Sequence, residues 1–301
     1  MTTPNINFLR AAQQLESVAK LPPSLQSLVS EIIQQPQFKA YFSPAQVSTL
    51  LAIEPDCELL LRHLLPLAQS YSFCPISKFK VGAVALADNG SIFLGANIEF
   101  AQQTLGQTVH AEQAVISNAW HHGATYLTHL AVTATPCGHC RQFINELEGA
   151  KKLRILLPEQ DAITFPAFLP HSFGPDDLAV NDRLMNSKPN QIAYQTDEPQ
   201  LVTAIENAKA SYSPYSNSPS GIVISTKNSQ YSGRYAENCA YNPSLSPLQS
   251  ALIALHLAGE QFSEIKTAIL VESKSAPVSQ YQQSVQLLKT LVDIELLHYQ
   301  Y

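Results

Sequence analysis

"KVGAVALADNGSIFLGANIEF", residues 80–100, places two apolar runs on either side of Asp88-Asn89-Gly90. An Asn-Gly pair between such runs is a strong hairpin signal, because both residues tolerate the positive φ of a tight turn. Upstream, "PDCELLLRHLLPLAQSY" (55–71) reads as a helix ending near Tyr71. Downstream, "TVHAEQAVISNAW" (108–120) reads as a helix from Thr108, with Ala114, Val115, Ile116, Ala119 and Trp120 at roughly helical spacing. "HLAVTAT" (129–135) reads as a buried strand, "PCGHCRQFINEL" (136–147) as a helix with Pro136 near its start, and "LRILLP" (153–158) as another strand. The order β-β-α-β-α-β predicts an α/β fold, a mixed sheet covered by helices.

The pattern then recurs. Past a polar stretch from Asn181 to Pro199, read as a linker, "SYSPYSNSPSGIVISTKNSQYSGRYAENCAYNPSLSPLQSALIAL" can be laid on the first hairpin and its helix. Tyr71 pairs with Tyr212 at an offset of 141, and Gly82 with Gly221, Gly95 with Gly233 and Gln113 with Gln249 at 139, 138 and 136. "HLAVTAT" finds an echo in "KTAILVE" (266–272). One domain has been duplicated.

Before the first copy, residues 1–50 read as helical. "SLQSLVSEIIQQ" aligns Leu25, Leu28, Val29, Ile32 and Ile33 on one face, and "SPAQVSTLLAI" opens with Ser43 as an N-cap and Pro44 at the first helical position. The start of the chain lacks the apolar core of a secretory signal. No run of about 18 apolar residues is present, so no membrane span is expected.

The 301 residues are 45% hydrophobic and 14% charged, with a net charge of −6. That balance can build two cores but argues against a nucleic-acid backbone as partner, which calls for clustered Lys and Arg. Lys151, Lys152 and Arg154 are the densest basic group. Five cysteines do not make a disulfide framework, so a reducing, cytoplasmic location fits best.

Within that setting Cys137 and Cys140 need an explanation. In "TPCGHC" (135–140) they lie three apart at a helix start, where both thiols can face one point. Thiolates suit zinc, and one imidazole, that of His110, completes a three-ligand set that leaves an open position for water. Glu112, two residues past His110, sits within reach of that water as an acid and base. A structural zinc module would instead need a fourth ligand from Cys74 or Cys239, neither of which has ligand-like spacing. A redox pair is the remaining rival.

His-Ala-Glu followed 24 residues later by Pro-Cys-x-x-Cys resembles the signature of zinc nucleobase deaminases. "FKVGA", "GANIEF", "QTVHAEQAVI", "TPCGHCRQF", "FGPDDL" and "GRYAEN" extend the likeness over nearly the whole chain, to the two-domain, homodimeric cytidine deaminases of bacteria. The resemblance implies a duplicated three-layer α-β-α domain, with an N-terminal helical segment at 1–50, a catalytic domain at 54–176 and a degenerate second domain at 194–301. It also implies zinc-dependent hydrolysis of cytidine and 2′-deoxycytidine to uridine and 2′-deoxyuridine plus ammonia, a step of pyrimidine salvage. His110, Cys137 and Cys140 would bind one Zn2+ per chain, and Glu112 would carry protons. Asn97 and Glu99 would hold the ribose and Phe79 would pack on the pyrimidine. The Ala111 N–H would meet the base O2 and the Thr135 carbonyl the leaving amine. Phe173 would reach the site near a subunit boundary. The second copy places Ser246 opposite His110 and Leu248 opposite Glu112, and "SKSAPVSQ" (273–280) has no cysteine, so it should hold no metal.

Overall fold

The computed structural model describes residues 6–301, with side chains from residue 12 onward. The first five residues of the segment expected to be helical lie outside the described residues. That segment folds as α1 (Ile6–Val18) and α2 (Pro23–Ile33), the latter burying Leu25, Val29 and Ile32. It is not wholly helical. β1 (Tyr41–Phe42) pairs antiparallel with Ile92 and Phe93 at the sheet edge. Two residues carry no periodicity, so only a tertiary partner makes them a strand. α3 (Pro44–Ile53) starts as expected at Ser43, whose hydroxyl accepts the Gln46 N–H while the Gln46 side chain accepts the Ser43 N–H.

α4 (Cys57–Gln69), capped by Asp56, leads into the hairpin of β2 (Gly82–Ala87) and β3 (Ile92–Ala96), and Gly90 in its turn has φ +81°. The first copy continues as α5 (Ala111–His121), β4 (Leu127–Val132), α6 (Gly138–Ile144), β5 (Arg154–Leu156) and β6 (Ile163–Thr164). The strand order is β1-β3-β2-β4-β5-β6, with β4 and β5 parallel and the other pairs antiparallel. Helices cover both faces, which is why β2 and β3 are apolar throughout instead of alternating. A Cβ on Gly82 would collide with the backbone of Gln69 in α4, and one on Gly95 with Val115 in α5.

The second copy repeats this as α7 (Pro199–Lys209), β7 (Ser220–Ser225), β8 (Gln230–Arg234), α8 (Pro247–Leu257), β9 (Thr267–Glu272), α9 (Tyr281–Leu291) and β10 (Leu296–Gln300). Its four strands run β10-β9-β7-β8, again with one parallel pair, β9 and β10. Gly221 and Gly233 permit the same close helix approach, to α7 and α8.

The backbone corrects one pairing of the repeat. Phe73 donates to Asn97 O and accepts from the Glu99 N–H; Tyr212 donates to Tyr235 O and accepts from the Glu237 N–H. Tyr212 is therefore the counterpart of Phe73, not of Tyr71, and the offset of 139 holds unbroken through Gly82 and Gly221. The stretch from Asn181 to Pro199 contains no helix or strand before α7, yet it is tied down. Leu184 is fully buried and exchanges backbone hydrogen bonds with Glu146 and Glu148. The Asn190 side chain donates to the carbonyls of Lys209 and Ser211.

The copies meet where α5 packs on α8. Gln113 Nε2 donates to Pro243 O at 3.0 Å, Gln249 Nε2 donates to Gln107 O at 2.9 Å, and the Ser117 and Ser250 hydroxyls lie 3.0 Å apart. Each glutamine is the third residue after its helix cap, so the seam has a local two-fold character. One continuous apolar core includes Ile116 of the first copy and Leu252 of the second.

Candidate metal centre at the mouths of α5 and α6

The α5 helix starts three residues later than the sequence suggests. Val109 pairs with Ile98, and His110 is extended at φ −86°, ψ 156°, as the N-cap. Thr108 and Val109 are thus held in a short extended segment that helical periodicity cannot reveal. The His110 imidazole makes no bond to its own helix; the Gln113 side chain accepts the His110 N–H instead, at 3.2 Å. Cys137 is the N-cap of α6 and Cys140 lies in its first turn. Their Sγ atoms are 3.6 Å apart, and His110 Nδ1 lies 3.5 Å from Cys137 and 3.2 Å from Cys140.

Two of those separations are close to the edges of a metal site, and the His110–Cys140 distance is a few tenths of an ångström shorter. Zn–S and Zn–N bonds of ordinary length at tetrahedral angles give ligand–ligand edges of roughly 3.6–3.8 Å. The electrostatics agree. Hydrogen bonds from Cys140 and then His110 draw the Cys137 thiol down to about 3. The neighbouring Cys137 sulfur, followed by burial, pushes Cys140 far up. Without a cation only one of the two sulfurs holds a charge, so both can be thiolates only with a cation between them. His110 is raised, chiefly by its bond to Cys137. Among the described residues this is the one cluster of three His, Cys, Asp or Glu ligand atoms within 4.8 Å of one another. Cys137 is exposed and Cys140 buried, so the centre opens to one side.

Glu112 is 4% exposed, and burial raises its pKa. A carboxyl held in this way is poised to exchange a proton. Ala111 is the first residue of α5, so its N–H is one of the donors that a helix start leaves free. Thr135 lies in the loop ahead of Cys137. Arg141 braces that loop, its Nε donating to Pro136 O at 2.8 Å and its Nη1 to Phe168 O at 2.9 Å. Sequence reasoning missed this brace; an arginine directly after the last cysteine was its only signal.

Asn97 and Glu99 are both buried beyond the end of β3. Asn97 Oδ1 accepts from the Val81 N–H and the Ser72 hydroxyl, and its Nδ2 donates to Phe79 O. Glu99 accepts from the N–H groups of Ile76 and Ser77 and from the Ser77 hydroxyl. Burial would raise Glu99, but the Ser77 and Ile76 bonds outweigh it and hold the carboxyl below its usual range. These residues fix the loop that carries Phe79, a residue that is 62% exposed. Phe173 is also half-exposed; its carbonyl accepts from the side chains of Gln142 and Asn145, which ties it to the C-terminal end of α6.

The remaining histidines have other partners. His139 stacks on His110 with ring centroids 4.8 Å apart. His122 bonds to the Asn118 carbonyl, while His121 reaches across the seam to Ser250 and Arg234. Cys239 is buried against Gln142, and Cys74 is half-buried.

Two family models, both described as "Cytidine and deoxycytidylate deaminase zinc-binding region", match the chain, one at residues 56–156 and the other at residues 165–285. A cytidine deaminase from Photobacterium profundum is 40% identical over 282 residues, covering 93% of this chain and 96% of that protein. One from Yersinia pestis is 43% identical, covering 91% of this chain and 94% of its own. The solved cytidine deaminase of Mycobacterium tuberculosis is 34% identical over 38% of this chain and 96% of that one, with a TM-score of 0.36.

Proposed function

The chain belongs to the cytidine and deoxycytidylate deaminases, and from that membership we propose how its own residues carry out the reaction. It is a zinc-dependent hydrolase that converts cytidine and water to uridine and ammonia, with 2′-deoxycytidine handled in the same way. The observation that carries this reading is the set His110, Cys137 and Cys140 with buried Glu112 two residues past the imidazole.

His110, Cys137 and Cys140 would hold one zinc ion per chain. When bound, that ion supplies a Lewis acid that makes water a nucleophile near neutral pH. Glu112 takes the proton of the attacking water and delivers it to N3 of the pyrimidine, so that C4 becomes more electrophilic. Once the water oxygen has bonded to C4, Glu112 takes the remaining hydroxyl proton and passes it to the amine, so that the C4–N bond breaks, ammonia leaves and the C4 carbonyl forms. The raised pKa of Glu112 suits this two-way traffic, since a proton carrier works best near the operating pH. The Ala111 N–H fixes the base O2, and the Thr135 carbonyl accepts from the amine. Glu99 and Asn97 hold the ribose hydroxyls from a loop whose other bonds keep them rigid. The exposed ring of Phe79 packs on the pyrimidine, and Phe173 closes the site near a subunit boundary.

The catalytic domain spans residues 54–176 and the degenerate copy 194–301, with residues 1–50 as an accessory segment. Two chains assemble as a homodimer, which would cover exposed apolar side chains such as Phe79, Phe173 and Tyr241. No described helix is long and apolar enough to cross a membrane. The five unpaired cysteines support a reducing, cytoplasmic setting. Incubating zinc-loaded protein with cytidine and measuring ammonia tests the reaction; a zinc-replete protein that releases none would overturn it.

A further inference from the structure

Two residues beyond the end of α6, Glu146 is entirely buried. Its partners are neutral donors, and all of them belong to the second copy. Tyr212 OH donates to Oε2 at 2.9 Å, Tyr215 OH lies 2.9–3.0 Å from both oxygens, and the Cys239 N–H donates to Oε1 at 2.7 Å. The same turn of chain is gripped once more, by Asn238 Nδ2 donating to Gln142 O at 2.8 Å. Burial first, then the Glu146 charge, raises both tyrosines, so they remain protonated donors.

The grip runs one way. Tyr212 and Tyr215 occupy the positions of Phe73 and Ile76, which have no hydroxyl and are half-exposed. Counted from the helix caps Cys137 and Gln280, the residue matching Glu146 is Lys289, which is exposed. The copy that lacks metal ligands therefore holds this buried carboxylate of the copy that has them, while the matching position in the second copy, Lys289, is exposed.

α6 has only seven residues, and so short a helix has little stability of its own. Its position is set by what holds its ends. One end carries Cys137 and Cys140; the other, six residues past Cys140, is the buried carboxylate. Burying a charge among neutral donors is costly unless its lone pairs are used, so the arrangement tolerates little displacement. Zinc–sulfur bonds tolerate little as well, being confined near one length.

We infer that Glu146, clasped by Tyr212, Tyr215 and the Cys239 N–H, is a positioning residue that sets where α6 presents Cys137 and Cys140 to the metal. The inference rests on the zinc reading above. It gives the degenerate copy a task at the live site, beyond filling space.

The test is the rate at which zinc-loaded, full-length protein loses its metal to excess chelator, well below the melting temperature. Glu146→Gln keeps the shape but turns one acceptor into a donor facing donors. It should release zinc roughly tenfold faster, the low end of the effect of outer-shell partners on metal affinity. Tyr215→Phe should show a smaller acceleration. Ser250→Ala removes seam contacts to Ser117 and His121, away from α6, and should leave release unchanged even if melting falls. Wild-type release from Glu146→Gln would overturn the inference, as would equal acceleration by Ser250→Ala. Should Glu146→Gln fail to fold, Tyr212→Phe and Tyr215→Phe decide it, and wild-type rates in both would overturn it. A wild-type protein that takes up no zinc would instead overturn the metal reading, before any variant is compared.

Discussion

His110 and Ser246 stand at the same point of two copies of one fold, and they do different work. Ser246 Oγ accepts the Gln249 N–H and caps its own helix. His110 leaves its helix uncapped by side chain and turns its ring to two cysteines. Around them nearly everything else is shared. Gln113 and Gln249 each accept the N–H of their cap residue and cross to the other copy. Glu99 and Glu237 each bind two backbone N–H groups and a serine hydroxyl, with Lys78 and Asn217 both at positive φ in the loops they hold. The comparison separates two demands on one sequence. What both copies keep holds the backbone, and the proposed ribose contact of Glu99 would be added to that task; the His110, Cys137 and Cys140 cluster is found in the first copy alone among the described residues.

The largest effect should come from the metal set. Cys137→Ala and Cys140→Ala should each take zinc from one per chain to none and abolish turnover, as metal analysis beside an ammonia assay would show. Two zinc ions per wild-type chain would erase the contrast between the copies.

Next is the carboxyl against its apolar counterpart. Glu112→Gln should retain zinc and lose about 10²–10⁴ in kcat, the usual contribution of a placed acid and base. Leu248, at the matching position, is fully buried. Leu248→Ala should cost about 2–5 kcal/mol of stability while the folded fraction keeps its kcat. A Glu112→Gln protein with near-normal turnover, or a Leu248→Ala protein that is stable yet inactive, would break the assignment.

The smallest effect is the sharpest discriminator. Glu99→Gln and Glu237→Gln should each weaken a loop held by charge-assisted bonds, by about 1.5–3 kcal/mol in thermal or denaturant unfolding. Only Glu99→Gln should also raise KM for cytidine relative to the free base cytosine. Equal losses on both substrates would reduce Glu99 to the loop-holding role that Glu237 already fills.

Much of this was open to reading because it is local. Asp88-Asn89-Gly90 dictates a turn through its own φ preferences, and Ser43-Pro44 a helix start through one side-chain bond. The Tyr212 pairing failed for the opposite reason. "SYS" precedes both loops, so identity favoured Tyr71, while the hydrogen bonds that define the equivalence join Tyr212 to Tyr235 and Phe73 to Asn97. Likewise Tyr41-Phe42 became a strand only because β3 offered an edge, and Glu146 reads as a surface acid until the second copy supplies its donors.

By itself the sequence determined the duplication, the donor types at His110, Cys137 and Cys140, and the absence of their counterparts in the second copy. Those are matters of composition and spacing, carried by each residue wherever it goes. The tertiary structure alone decided that a histidine and a cysteine 27 residues apart come within 3.5 Å, that Glu112 is buried beside them, and that Tyr212 and Tyr215 close on Glu146. Local preferences act over a turn or two of chain. Convergence of caps from two helices, and burial of a charge between two copies, depend on how apolar faces pack, and only the folded whole specifies that.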